Sequence, residues 1–155
     1  MTPERIYWDS DAFLGWLQQE QGKVDLCAGT IARAKAGEVV IITSTLTLAE
    51  VLWMRNHPRI TQDRAAIVRR FFRHSYFRMR NVTRSIAESA QDLVWNHSIN
   101  PKDAIHVATA LDADVPTFET FDSDLLKKSG RIGTSNLVIR RPMAPEQATL
   151  PGLAP

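Results

Sequence analysis

Short runs of strand character alternate with segments of helical periodicity along this chain, and that alternation constrains the fold more than any other feature. The clearest strand is Val39-Val40-Ile41-Ile42-Thr43, which is β-branched throughout. Ile6-Tyr7-Trp8-Asp9 reads as a shorter buried strand, with two more over Val115–Phe118 and Leu137–Arg140. Phe77-Arg78-Met79-Arg80 alternates apolar and basic residues, which suits an edge strand with one wet face. The first helix is expected over Ser10–Gln21, with Ser10 as N-cap and Phe13, Leu14 and Leu17 on one face. A second runs over Val24–Lys35 and stops at Gly37. Thr47 and Glu50 have capping-box spacing, although Ser44 or Thr45 could cap as well, and a helix there would run to about Met54, before Pro58.

The remaining helices follow the same logic. Thr61–His74 is Arg-rich and is expected to turn Ile60, Ile67, Val68 and Phe71 inward. Thr83–Asn96 carries Ile86, Ala90, Leu93 and Val94 on one side. Asn100-Pro101 opens another helix as N-cap and first helical residue, and Ser123–Lys127 forms a brief one. Strands separated by helices imply an α/β fold of three layers, α/β/α, around a central parallel sheet. The domain is expected to span 1–141, followed by a flexible Pro-, Ala- and Gly-rich tail over 142–155. No repeat or low-complexity block interrupts it.

At 155 residues the chain fits one domain. It can bury roughly two-thirds of its unfolded surface without staples. One cysteine, Cys27, excludes an intramolecular disulfide and is compatible with a reducing cytosol. Met1-Thr2-Pro3-Glu4-Arg5 carries no apolar signal core. No stretch approaches the ~18 apolar residues of a membrane span. A cytoplasmic location without membrane association is therefore the expectation. The net charge of +2 conceals an asymmetry. Trp53–Arg84 holds nine arginines against the single acid Asp63, or +8, which leaves −6 for the rest. Arginine without lysine favours bidentate phosphate or carboxylate contacts. Arg69, Arg70 and Arg73 are candidates for RNA contact, and a solvated helix face is the plainer alternative.

Four acids stand in apolar or helix-starting settings: Asp9, Glu50, Asp103 and Asp122. Buried carboxylates are costly unless paired, hydrogen-bonded or bound to a metal. Asp9 and Asp122 follow strands, so both point to the crevice beyond the strands' carboxyl ends. Glu50 lies just after the second strand, and Asp103 begins a helix. Taken singly, each has an ordinary role as a cap or first-turn acid. Taken together, they suggest one pocket in which a hard cation cancels their repulsion. Asp124, two residues after Asp122, could complete that pocket instead. Asp11 reads more simply as a first-turn acid. Among the histidines, His106 lies one turn after Asp103 and could approach the pocket edge, although a hydrogen-bonded helix histidine is the simpler reading. His57, His74 and His97 are expected near helix ends. No Cys/His spacing reads as zinc, and no Gly-rich phosphate loop is present.

In order and context these motifs resemble the PIN-domain nucleases, especially their VapC-like toxin branch. The resemblance rests on Asp9-Ser10, Leu48-Ala49-Glu50-Val51-Leu52, Asp103-Ala104-Ile105-His106-Val107-Ala108-Thr109-Ala110 and Thr120-Phe121-Asp122, and spans about residues 5–141. It implies a Mg²⁺- or Mn²⁺-dependent endoribonuclease with Asp9, Glu50, Asp103 and Asp122 as metal ligands or water-orienting carboxylates. Ser10 and Thr120 would orient those carboxylates. It also implies a toxin neutralised by a small cognate antitoxin, and a homodimer. Two rival readings remain. One is a non-catalytic module that binds RNA or a partner on the same scaffold. The other is a haloacid-dehalogenase-type phosphatase, since Asp9-Ser10-Asp11 has that family's Asp-x-Asp form, with Lys102 and Asp122/Asp124 forced into its other roles.

Overall fold

A computed structural model of the chain describes residues 2–133 and 136–144. Five strands form one sheet: β1 (Glu4–Trp8), β2 (Val39–Ser44), β3 (Phe77–Arg80), β4 (Thr117–Glu119) and β5 (Val138–Arg140). Their spatial order is β3-β2-β1-β4-β5, and every neighbouring pair is parallel. Seven helices connect them: α1 (Ser10–Leu17), α2 (Val24–Lys35), α3 (Leu46–Glu50), α4 (Ala65–Phe71), α5 (Arg84–His97), α6 (Pro101–Asp112) and α7 (Ser123–Leu126). The expected α/β architecture with a parallel sheet between helical layers is the one observed.

Two cores follow from the two-residue period of the strands. Ile6 and Trp8 of β1 face one side, with Ile41, Phe77 and the helix residues Phe13, Leu14, Ile31, Val68 and Phe72. Tyr7 faces the other side, with Ile42, Phe118 and Ile86, Leu93, Val107 and Leu125. Phe13 is the aromatic hub of the first core, edge-on to Trp8 at 5.1 Å, Phe72 at 4.9 Å and Phe77 at 5.5 Å. Burying a side chain of this size stabilises the fold by roughly 1.5–3 kcal/mol. Central β1 is apolar on both faces because both are covered, whereas edge strand β3 keeps Arg78 and Arg80 in water.

Helix ends depart from the expected ones for identifiable reasons. Asp9, not Ser10, caps α1: its Oδ1 accepts from the Ala12 amide at 3.0 Å, and Ser10 is the first helical residue. The helix ends at Leu17, and Gln19 takes a positive φ of 51°. α2 ends as expected, with Gly37 at φ 79° and the Glu38 amide bonded back to the Arg33 carbonyl. No capping box forms between Thr47 and Glu50. The Thr47 hydroxyl is buried against Thr43 at 2.8 Å, Glu50 turns toward His106, and Thr45 precedes α3 without a side-chain cap. α3 stops at Glu50 instead of reaching Met54. The arginine-rich helix is shorter than expected: a 3₁₀ turn over Gln62–Arg64 precedes α4, and Ile67 is 65% exposed instead of inward. α7 stops at Leu126, and β4 is shifted to Thr117–Glu119, which puts Glu119 inside the sheet. Thr83 and Asn100 cap α5 and α6. Most of the expected tail lies outside the described residues. Among those described, no helix is long and apolar enough to cross a membrane.

Candidate active site

The sheet changes direction at β1: the chain adds β2 and β3 on one side of it, then β4 and β5 on the other. A crevice opens at such a point, beyond the carboxyl ends of the strands. Here it is a cleft of ≈ 350 Å³ lined by Asp9, Ser10, Asp11, Lys23, Glu50, Met54, Arg55, Asn56, His57, Asp103, His106, Phe121, Asp122 and Ser123. All four singled-out acids line it, each delivered by a different segment. Asp9 follows β1, Glu50 ends α3 after β2, Asp103 sits in the first turn of α6, and Asp122 caps α7 after β4. Asp124 is not among them. Two residues further around α7, it is exposed and faces a neighbouring cavity. Arg69, Arg70 and Arg73 are exposed and do not line the cleft, whereas Arg55 does.

Hydrogen bonds hold three of the acids. Asp9 is 3% exposed, and besides capping α1 it accepts from the Thr120 hydroxyl through Oδ2 at 2.5 Å. The same Thr120 oxygen accepts from the Asp122 amide at 3.0 Å, so one buried hydroxyl ties two cleft acids together. Asp122 Oδ1 in turn accepts from the Leu125 amide at 2.9 Å. Glu50 Oε1 accepts from Ser10 Oγ at 3.0 Å and pairs with His106 Nε2 at 2.6 Å. His106 is buried, with Nδ1 2.7 Å from the Tyr7 hydroxyl. An ionised Glu50 can only accept, so Nε2–H of His106 donates to it, while Nδ1 on the other side of the ring meets the Tyr7 hydroxyl. Among the described residues, Asp103 has no side-chain hydrogen-bond or ion-pair partner.

The electrostatics divide these acids. Burial pushes Asp9 up to about 7, against the opposing effects of His106 and Thr120. Burial, then the charge of Asp122, pushes Asp103 up to about 6. Burial also raises Asp11, although Lys23 and His57 pull the other way. Glu50 is the exception. Burial would raise it, but the hydrogen bond and charge of His106 bring it below the ordinary glutamate range. The cleft thus crowds carboxylates that ionise reluctantly together, which a cation would relieve. The donors are hard oxygens of the kind Mg²⁺ or Mn²⁺ takes. Their type and shared cleft fit such an ion. Among the described residues, however, no three acidic, imidazole or thiol groups are already gathered into a cage around one point.

Two features have no counterpart among the sequence expectations. One is the far wall of the cleft, where His57 Nδ1 pairs with Glu20 at 2.7 Å and Lys23 bridges Glu20 at 2.9 Å and Asp11 at 3.7 Å. In sequence His57 is only a helix-end residue, and nothing local joins it to α1. The other is Glu119, fully buried outside the cleft, which accepts from Trp8 Nε1 at 2.7 Å and Thr30 Oγ1 at 2.8 Å and pairs with Arg140 at 3.3 Å.

Solved structures with this architecture exist. The VapC20 toxin of Mycobacterium tuberculosis, which cleaves the sarcin-ricin loop, superposes with a TM-score of 0.60 at 21% identity, covering 77% of this chain and 91% of that one. FitAB bound to an IR36 DNA fragment gives 0.58 at 15% identity, over 92% of this chain and 99% of that one. FitAcB from Neisseria gonorrhoeae gives 0.56 at 14% identity, over 88% and 97%. At these identities the likeness speaks for the fold alone. No curated protein sequence matches the chain. The sequence pattern of the PIN domain matches residues 6–131, from within the central strand past the last cleft acid. By that match, and with a fold to go with it, this chain belongs to the PIN-domain family.

Proposed function

We propose that the chain is a metal-dependent endoribonuclease, with the cleft as its active site. One observation carries this reading: four acids from four separate segments meet in one cleft at the sheet's switch point. Nucleases of the PIN family generally use divalent metals, and Asp9, Glu50, Asp103 and Asp122 are the residues that would hold Mg²⁺ or Mn²⁺ here. Such an ion supplies an activated water and neutralises charge on the transferring phosphoryl group. The protein's share is positional. Thr120 aims Asp9, Ser10 and His106 fix Glu50, and Asp103 keeps both oxygens available. Asp9, by contrast, has both oxygens engaged, which suits a fixed ligand and not the nucleophile of a phosphatase.

The test is cleavage of RNA by the purified chain with Mg²⁺ or Mn²⁺, with excess EDTA, and with Asp9→Asn and Asp103→Asn. Activity that survives EDTA, or persists in full in both variants, rules the mechanism out. The rival reading is a PIN scaffold that binds RNA or a partner without cutting. Binding without cleavage under all these conditions would establish it.

As a toxin, the chain would be held silent by a small antitoxin. Apolar surface beside the cleft supports this: Leu48 and Leu52 are exposed, and Trp53 is 70% exposed with Arg59 over its ring at 4.8 Å. An amphipathic partner helix would cover that surface and place a basic side chain among the cleft carboxylates. A homodimer belongs to the same proposal.

A further inference from the structure

A second cavity of ≈ 580 Å³ shares a wall with the acidic cleft, and Asp103 lines both. Its own lining is of a different character. Lys127 and Lys128 follow α7, and Val94, Ile99 and Leu125 form an apolar side. Ser98 and Asn100 contribute from the α5–α6 connection. Among the described residues, neither lysine has a carboxylate partner, although Asp103 and Asp124 line the same cavity. The amide oxygen of Asn100 is committed to the Lys102 amide at 3.1 Å, while no acceptor among the described residues engages its NH₂ group. The volume is within the ~300–1,000 Å³ typical of small-molecule sites.

The acidic cleft itself offers a polyanion Arg55 and little else. Its Lys23 and His57 are bound to Asp11 and Glu20. A strand whose scissile phosphate lies at the acids can therefore take further positive contacts next door. Lysine ammonium groups serve phosphate as point charges, and an apolar wall beside them accommodates a base or sugar.

We propose that this cavity is a nucleotide subsite: Lys127 and Lys128 hold the phosphate that neighbours the scissile one, and the Val94–Ile99–Leu125 wall receives the attached nucleoside. The proposal rests on the nuclease reading of the adjoining cleft. It adds that substrate preference is set at the α7 end of the cleft, by the nucleotide seated there.

Two measurements on the full chain test it. In EDTA, each of the four nucleoside 5′-monophosphates is titrated into ¹⁵N-labelled protein, and amide shifts are followed. Shifts at Ser98, Leu125 and Lys128 are expected, and they should vanish in the K127A/K128A double variant while its remaining spectrum stays folded. In Mg²⁺, the double variant should raise KM for RNA by about tenfold or more, with kcat changing little. Nucleotide binding without any RNA cleavage would sink the nuclease reading and leave the subsite standing. Cleavage with an unchanged KM, together with no shifts in this cavity, would overturn the subsite and leave the nuclease standing.

Discussion

Nε2 of His106 lies 2.6 Å from Oε1 of Glu50, and this contact joins the core of the molecule to its cleft. The far side of the ring meets the Tyr7 hydroxyl, on the strand at the centre of the sheet. His106 is therefore a positioning residue for Glu50. His106→Ala should cost about 2–4 kcal/mol of stability, because it opens a cavity, removes the partner of the buried Tyr7 hydroxyl and leaves Glu50 with Ser10 alone. Glu50 should also titrate higher, so RNA cleavage should shift to a higher pH. Urea unfolding and a pH–rate profile check the two effects separately. Lost stability with an unmoved profile would make the histidine purely structural.

Asp9 gives a prediction for the metal-free protein. Its carboxyl is raised from 3.8 to about 7, chiefly by burial, so the folded state keeps a proton that the unfolded chain has released. Stability should then fall as pH rises from about 4 to about 7, and stay low above that. Asp9→Asn carries no such cost. In EDTA at pH 8 it should be more stable than the wild type, by on the order of a few kcal/mol, and the gap should close at pH 4. Denaturant titrations at the two pH values decide it. Equal stability at pH 8 would mean that burial does not penalise this charge.

Divalent cation should raise the melting temperature of the wild type, since a ligand that binds only the folded state stabilises it by mass action. The rise should be largely lost in Asp9→Asn and Asp103→Asn. Thermal melts with and without Mn²⁺ test this without any RNA. An equal rise in wild type and both variants would place the ion elsewhere.

Glu119 is a buried carboxylate of the opposite kind, with its partners supplied by the protein. Glu119→Ala strands Arg140, Trp8 and Thr30 at once and should cost about 3–5 kcal/mol. Below its melting point, the variant should still cleave RNA at a similar rate. Loss of cleavage in a demonstrably folded variant would show that Glu119 acts on the cleft through its neighbour Thr120.

The basic segment makes a salt-dependent prediction. Arg69, Arg70 and Arg73 are exposed, away from the cleft lining. If they bind RNA phosphates, reversing their charge should flatten the salt dependence of binding, by roughly one in log–log slope for each phosphate left without its arginine. An unchanged slope would assign them to a solvated face or a partner surface.

Strand-end acids are readable from sequence because each follows a short apolar run, and a parallel sheet sends such residues to one edge. Asp9 and Asp122 are of this kind, and both line the cleft. Choosing between Asp122 and Asp124 depends on the same strand-end logic, and the cleft takes Asp122. The buried set around Glu119 is hidden in sequence because its partners Trp8, Thr30 and Arg140 are scattered along the chain. The capping box at Thr47–Glu50 fails because tertiary partners claim both side chains. The arginine-rich helix is overextended in the sequence reading because Ile67 fits a helical stripe there but meets no core.

The hydrogen bond from Thr120 to Asp9 spans 111 residues, and β1 meets β4 only after most of the chain exists. Chains emerge N-terminus first, and non-local pairings of this kind form late. A growing polypeptide thus displays Asp9 and Glu50 long before Thr120, Asp122 and the last α/β layer can join them. If the chain is the ribonuclease proposed above, made on an RNA template by a machine built of RNA, that order is protective. The half-synthesised chain would then hold Asp9 and Glu50 without the partners that complete the cutting edge.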